Sequence, residues 1–224
     1  SKYGDHGLVL HILHNRYHIP GNGVVGILGP NGSGKSTLFK LLVNFIQPDE
    51  GELTVLNRKP SWQTNRDIAY LPDNASWFPE QTVSQAIEWA SRFLPGFDQQ
   101  EAAELVKVMD ITNDVPAAGM SRGQKARLML MICMAQSLPL VILDEPFSGI
   151  DITSRDRIIG SLIDRISERK QQTILISTHE IYETESLFDY VVFLDQGQVK
   201  LTGEVEQLRR EYGSMETLFR KLYG

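Results

Sequence analysis

Two short stretches hold the residues best suited to chemistry. The first, Gly29-Pro30-Asn31-Gly32-Ser33-Gly34-Lys35-Ser36-Thr37, fits the pattern G-x-x-x-x-G-K-[ST]. Glycines at this spacing let the backbone curl so that successive N–H groups point at phosphate oxygens, and a helix starting there adds its positive end. Asn31, Gly32, Ser33, Gly34, Ser36 and Thr37 are therefore candidates for nucleotide binding. Lys35 would reach the β- and γ-phosphates, and the Ser36 hydroxyl would face Mg2+. The second stretch, Leu140-Val141-Ile142-Leu143-Asp144-Glu145, is an apolar strand ending in two acids. In a sheet whose strand ends face the ligand, those acids land where nucleotide sits. Asp144 would hold Mg2+, directly or through water. Glu145 would polarise an attacking water as general base.

Elements that alternate between strand and helix must position these residues. Val24–Leu28 predicts a short buried strand that feeds the glycine-rich loop, and Lys35–Phe45 predicts the helix after it. Leu8–Ile19 reads as extended, Glu52–Leu56 and Asp67–Leu71 as strands. From about Asp73 to Pro139 strand signals vanish, and Val83–Arg92, Gln99–Met109 and Arg122–Gln136 read as helices. This is the pattern of a helical lobe, at about 74–138, inserted into an α/β domain that spans 1–224. Strands resume at Leu140–Leu143, Thr173–Ser177 and Tyr190–Leu194. Gln196-Gly197 then turns a hairpin into Val199–Thr202, and two short helices follow Val205.

Bulk properties narrow the function classes. The 224 residues suit one large α/β domain, and 42% hydrophobic with 22% charged residues is ordinary for a globular protein. A formal net charge of −6 argues against a nucleic-acid partner, which calls for a basic face. The single cysteine, Cys133, excludes an intrachain disulfide, suits a reducing compartment, and sits in the apolar run Leu128–Ala135 as a buried core thiol. No apolar run approaches the roughly 18–20 residues that cross a bilayer, and no signal peptide is visible, so a membrane role would come through a partner.

With both motifs placed, the sequence resembles the ATP-binding subunits of ABC (ATP-binding cassette) transporters over essentially its whole length. Between the motifs lies Met120-Ser121-Arg122-Gly123-Gln124, which resembles the family signature LSGGQ. The resemblance implies a P-loop NTPase core with a mostly parallel sheet, an antiparallel β part on the N-terminal side and the inserted helical lobe. It implies ATP and Mg2+ as ligands, and two subunits, identical or different, that pair head to tail so that the signature of one closes over the ATP of the other. Ser121 would supply a hydroxyl, Gly123 a bare N–H, Gln124 a further polar contact, and the helix start a positive dipole end. Ser121 and Gln124 also fit an S-x-x-Q capping box, and both readings can hold together. By the same resemblance Ser148-Gly149-Ile150-Asp151 matches the D-loop that couples subunits, His179 the switch histidine at the γ-phosphate, and Tyr3 the aromatic that stacks on adenine.

Three departures qualify the match. Arg122 stands at a signature position that is usually glycine and adds positive charge near phosphate. Asp73 stands where the family has a glutamine that touches Mg2+ and senses the membrane partner; an ionised aspartate still ligates metal but donates no hydrogen bond. The sequence begins almost at Tyr3, where family members carry a preceding strand, which implies a looser adenine site. Asp73, the stretch Phe93–Asp98 and the lack of a glycine pair in the signature resemble bacterial cassettes of the YtrB-like group.

Other features read as structural. His11, His14 and His18 lack a completing carboxylate or cysteine, so no metal is assigned to them. Met129, Met131 and Met134 read as core filler, and Arg155, Asp156, Arg157, Asp164 and Arg165 as a solvated, charge-paired helix face. The expected function is the Mg-dependent ATPase motor of a transporter. It would work with separate transmembrane permease subunits, cytoplasmic and peripheral on the inner face of the cell membrane. Two other functions compete with it. One is a soluble ABC ATPase serving a non-transport assembly such as iron–sulfur cluster biogenesis. The other is a module that holds ATP without turnover, which Asp73 and Arg122 favour and Glu145 and His179 oppose.

Overall fold

The uninterrupted apolar runs become strands buried on both faces. In the computed structural model, which describes residues 8–12, 15–111, 115–169 and 171–224, they form a six-stranded sheet. In chain order the strands are β1 (Leu8–Ile12), β2 (Asn15–Ile19), β3 (Gly23–Leu28), β4 (Glu52–Val55), β5 (Ile68–Leu71), β6 (Leu140–Asp144), β7 (Thr173–Thr178), β8 (Tyr190–Asp195) and β9 (Gln198–Glu204). The helices are α1 (Lys35–Leu42), α2 (Trp62–Asn65), α3 (Val83–Phe93), α4 (Gln99–Met109), α5 (Arg122–Met134), α6 (Ile152–Ser167), α7 (Ile181–Thr184), α8 (Val205–Tyr212) and α9 (Met215–Tyr223). The main sheet runs β5-β6-β7-β3-β8-β9, parallel except for the last pair, and β2-β1-β4 form a separate antiparallel sheet.

Every residue of β6 and β7 is buried, as expected of parallel strands covered on both faces. Alternation along β6 separates two cores. Leu140 and Ile142 join Phe39 and Leu42 of α1 and Val55 of β4, while Val141 and Leu143 face the other layer with Leu105 and Leu128 of the helical lobe. Between β5 and β6, α3 to α5 each begin at a side-chain cap: Thr82 with Gln85, Asp98, and Ser121 with Gln124. Such caps contribute about 1 kcal/mol each. The lobe is tied to the core by ion pairs from Glu101 on α4 to Arg165 (2.8 Å) and to Arg169 (2.6 Å).

Several expectations change here. The helix after the glycine loop ends at Leu42 rather than Phe45, because Asn44 takes a left-handed φ of 59° and turns the chain. The signature helix ends at Met134 rather than Gln136 and hands over to the turn before β6. Arg155 and Arg165 do not lie on a solvated face: Arg155 is buried and Arg165 bridges to Glu101. The element α6 that carries them extends for 16 residues, with Ile158, Ile159 and Leu162 on its buried side. Cys133 is buried, and burial pushes its thiol up to about 12, as expected of a core thiol. His14 lies outside the described residues, as does Tyr3.

Candidate active site

The site forms where three neighbouring parallel strands end. Register places Asp144 opposite Ser177 and Leu28 opposite Thr178, so loop 29–34, the acids after β6 and the histidine after β7 leave the sheet together.

The loop is shaped by close approach. A Cβ on Gly29 would lie 2.4 Å from the Leu194 carbonyl oxygen and 2.6 Å from Ser33 Oγ, so only glycine fits. Gly34 begins α1 at φ 108°, and no side chain caps that helix, which leaves its first N–H groups without a side-chain acceptor. Ser33 Oγ is buried without a hydrogen-bond partner. A buried orphan hydroxyl beside uncapped amides fits a phosphate that completes both. Gly197 N braces the loop from the β8–β9 hairpin by donating to the Ser33 carbonyl at 2.8 Å.

Lys35 Nζ donates to the carbonyls of Gly29 (2.8 Å) and Pro30 (3.0 Å) and lies 3.9 Å from Glu145 Oε1. Burial lowers its pKa, against the opposing charges of Glu145 and Asp144. Asp144 is 3% exposed, and its Oδ1 accepts from Ser177 Oγ at 2.6 Å. The same hydroxyl accepts from Glu145 N at 2.9 Å, so one serine orients both acids. Glu145 holds a left-handed φ of 48°, uncommon for a residue with a side chain, and its carboxylate faces His179. Glu145 Oε1 and His179 Nδ1 are 2.9 Å apart. Burial raises the Glu145 pKa, while the His179 hydrogen bond and the charge of Lys35 pull it down. A carboxylate shifted upward is a stronger proton acceptor than an ordinary one.

Lobe and core meet at a cavity of about 300 Å3 lined by Asp73, Arg122, Lys125, Asp144, Glu145 and Ser148. Tyr70 stands close by: burial, then the charges of Asp144 and Asp73, push its phenol up to about 12. Among the described residues no group of three or more His, Cys, Asp or Glu could hold a metal alone. Mg2+ commonly takes one or two protein ligands and the rest from phosphate and water. Asp144 and the Ser36 hydroxyl are suitable donors, and Asp73 lines the same cavity.

The signature turn is arranged differently. Ser121 Oγ accepts from Gln124 N at 3.2 Å and Gln124 Oε1 accepts from Ser121 N at 2.8 Å, so the capping box is formed. Arg122 lies along Gly149, where a Cβ would fall 2.9 Å from its Nε, and a Cβ on Gly123 would sit 3.2 Å from the Gly149 carbonyl. The departure at Arg122 therefore packs on loop 148–151 of its own chain. Asp151 in that loop caps α6, its Oδ1 accepting from Ser154 N at 2.9 Å.

Lys35, Asp144, Glu145 and His179 are thus brought together, with Asp73 on the cavity wall. Ser121, Gly123 and Gln124 form a separate turn against loop 148–151. The sequence reading gives Ser177 no role beyond its strand and places Arg155 on a solvated helix face. Ser177 could have been found from its place at the end of a buried strand, where a hydroxyl needs a partner.

Residues 14–148 match the ABC transporter family model. The chain is 28% identical over 198 residues to the ABC transporter ATP-binding protein YtrB of Bacillus subtilis, covering 88% of this chain and 68% of that protein. It is 31% identical over 203 residues to the thiamine import ATP-binding protein ThiQ of Vibrio parahaemolyticus, covering 85% and 84%. A solved structure of an ATP binding subunit of an ABC transporter has the same fold, with a TM-score of 0.80 at 23% identity over 98% of this chain and 100% of that one.

Proposed function

The chain belongs to the ABC transporter family, and we propose that it is the subunit that hydrolyses ATP to drive transport, two copies or two related chains closing head to tail around two ATP. The contact of His179, Glu145 and Lys35 at the end of β6 carries this reading. Lys35 and the uncapped amides of α1 bind the β- and γ-phosphates; Ser36, Asp144 and Asp73 hold Mg2+. When bound, Mg2+ supplies positive charge that offsets what develops on the phosphate oxygens. Glu145 accepts a proton as the water oxygen adds to the γ-phosphorus and the bond to the bridging oxygen breaks, releasing ADP. His179 holds Glu145 in place and contacts the γ-phosphate. Ser121 and Gly123 of the second subunit complete the site from the other side.

Among the described residues no helix is long and apolar enough to cross a membrane. In this reading the cassette works with membrane-spanning permease subunits. Their docking is supported by the aromatic cluster just beyond Asp73: Trp77, Phe78, Trp89 and Phe93 stack with centroid spacings of 4.9 to 5.4 Å, and Phe93 is 64% exposed. Steady-state hydrolysis with Mg2+, measured against protein concentration, tests the motor. A rate per chain that rises with concentration is expected; hydrolysis at a constant rate per chain down to full dilution would remove the composite site.

A further inference from the structure

Arg155 is a buried cation without a part in the steps above. It is 8% exposed, on the first turn of α6 directly after loop 148–151. Its NH2 donates to the Ile150 carbonyl at 3.3 Å, its NH1 to Glu180 Oε2 at 2.7 Å, and it pairs with Glu183 on α7. Glu180 is the residue after His179, and its other oxygen lies 3.7 Å from His179 Nε2. The opposite ring nitrogen of His179 meets Glu145. One line of contacts thus runs from the Ile150 carbonyl through Arg155, Glu180 and His179 to Glu145. Arg155, Glu180, His179 and Glu145 also border one small cavity.

We propose that Arg155 is a positioning residue for hydrolysis, holding His179 through Glu180 while fixing the coupling loop through Ile150, so that the loop and the histidine move as one unit. The proposal rests on the ATPase reading above. A guanidinium fork can hold a carbonyl and two carboxylates at once, which a single ammonium cannot. Glu180 is itself steadied: its N–H is bonded to Thr178 Oγ1 at 2.9 Å, and its carbonyl accepts from Thr184 Oγ1 at 2.9 Å. Its backbone is therefore fixed, and Arg155 sets where its carboxylate points.

The test is kinetic. Arg155→Met should lower kcat for ATP by about ten- to hundredfold, the effect of a small misplacement of catalytic groups, with KM within about twofold. Arg155→Lys should recover part of kcat, since it keeps a cation beside Glu180 but cannot also reach Ile150. An unchanged kcat, or kcat and KM that worsen together with a lowered melting temperature and no gain from Lys, would overturn the proposal. Should Arg155→Met fail to fold, Glu180→Gln gives the same reading, and an unchanged kcat there overturns it too. If the native chain hydrolyses no ATP, the ATPase reading fails instead. Hydrogen exchange then decides between the outcomes: Arg155→Met should loosen both 148–151 and 179–184, and loosening of only one segment, or neither, rejects the coupling.

Discussion

The chain has two helix starts of similar make-up, and they are finished in opposite ways. α1 begins at Gly34 with no side-chain cap, above a buried Ser33 hydroxyl that has no partner. α5 begins at Ser121, whose hydroxyl and backbone N–H are both taken by Gln124. Both are positive helix ends suited to an anion. The first has no side-chain cap, and the loop before it is braced by Gly197 of the β8–β9 hairpin and by the Lys35 ammonium folding back on the Gly29 carbonyl. The second is closed on itself and exposed, and it gains by exchanging a cap for a phosphate only when a second surface brings one. In the proposed reading the contrast separates a preformed phosphate cradle from a contact that waits for assembly.

The strongest way to separate the two halves is Glu145→Gln. Hydrolysis should fall by about a hundredfold or more while nucleotide still binds, read by single-turnover hydrolysis beside equilibrium binding. Loss of binding as well would mean that the cradle depends on Glu145, through Lys35, and is not preformed. Next in size is Lys35→Met, which removes charge-assisted hydrogen bonds; nucleotide affinity should drop by about 1.5–3 kcal/mol, measured by calorimetry on dilute chain. Ser121→Ala should cost about 1 kcal/mol of stability by removing the cap and should reduce the concentration-dependent part of the rate. Affinity of the dilute chain should stay as it was, and a fall in it would erase the asymmetry. The subtlest effect is on pH dependence. Glu145 is shifted upward, so its basic form, and with it kcat, is lost on acidification at a higher pH than an ordinary carboxylate would give. Lys35 is shifted downward, so phosphate binding weakens on the alkaline side earlier than for a free lysine. A pH–rate profile for kcat beside a pH–affinity profile distinguishes the two limbs.

Much of this arrangement is legible in the chain. The phosphate loop and the acidic strand announce themselves because their residue types serve local backbone needs: glycines for the turn, an apolar run for a doubly covered strand. The helices of the lobe follow from their caps and periodicity, and Gln99–Met109 is found with the expected bounds. What was not legible depends on distant partners. Arg155 looks solvated beside Asp156 and Arg157, because its carboxylates, Glu180 and Glu183, come from beyond β7 in the sequence. Ser177 gains its role only once β6 lies alongside β7. The early end of α1 rests on a single asparagine in a left-handed conformation, which no periodicity reports.

The sheet order has one more consequence, for the order of events during synthesis. β3, which carries the phosphate loop, pairs with β7 and β8 and with nothing near it in sequence. Already at its entry, Asn22 N is bonded to Thr173 Oγ1, 151 residues further along. Contacts of such separation close late and slowly, because loop entropy is lost before they repay it. A nascent chain therefore exposes its phosphate motif early but has no floor beneath it until β7 and β8 have emerged. The residues earliest to be recognised in the sequence are thus among the last to gain their structural support, and in the proposed reading nucleotide capture waits for β7 and β8.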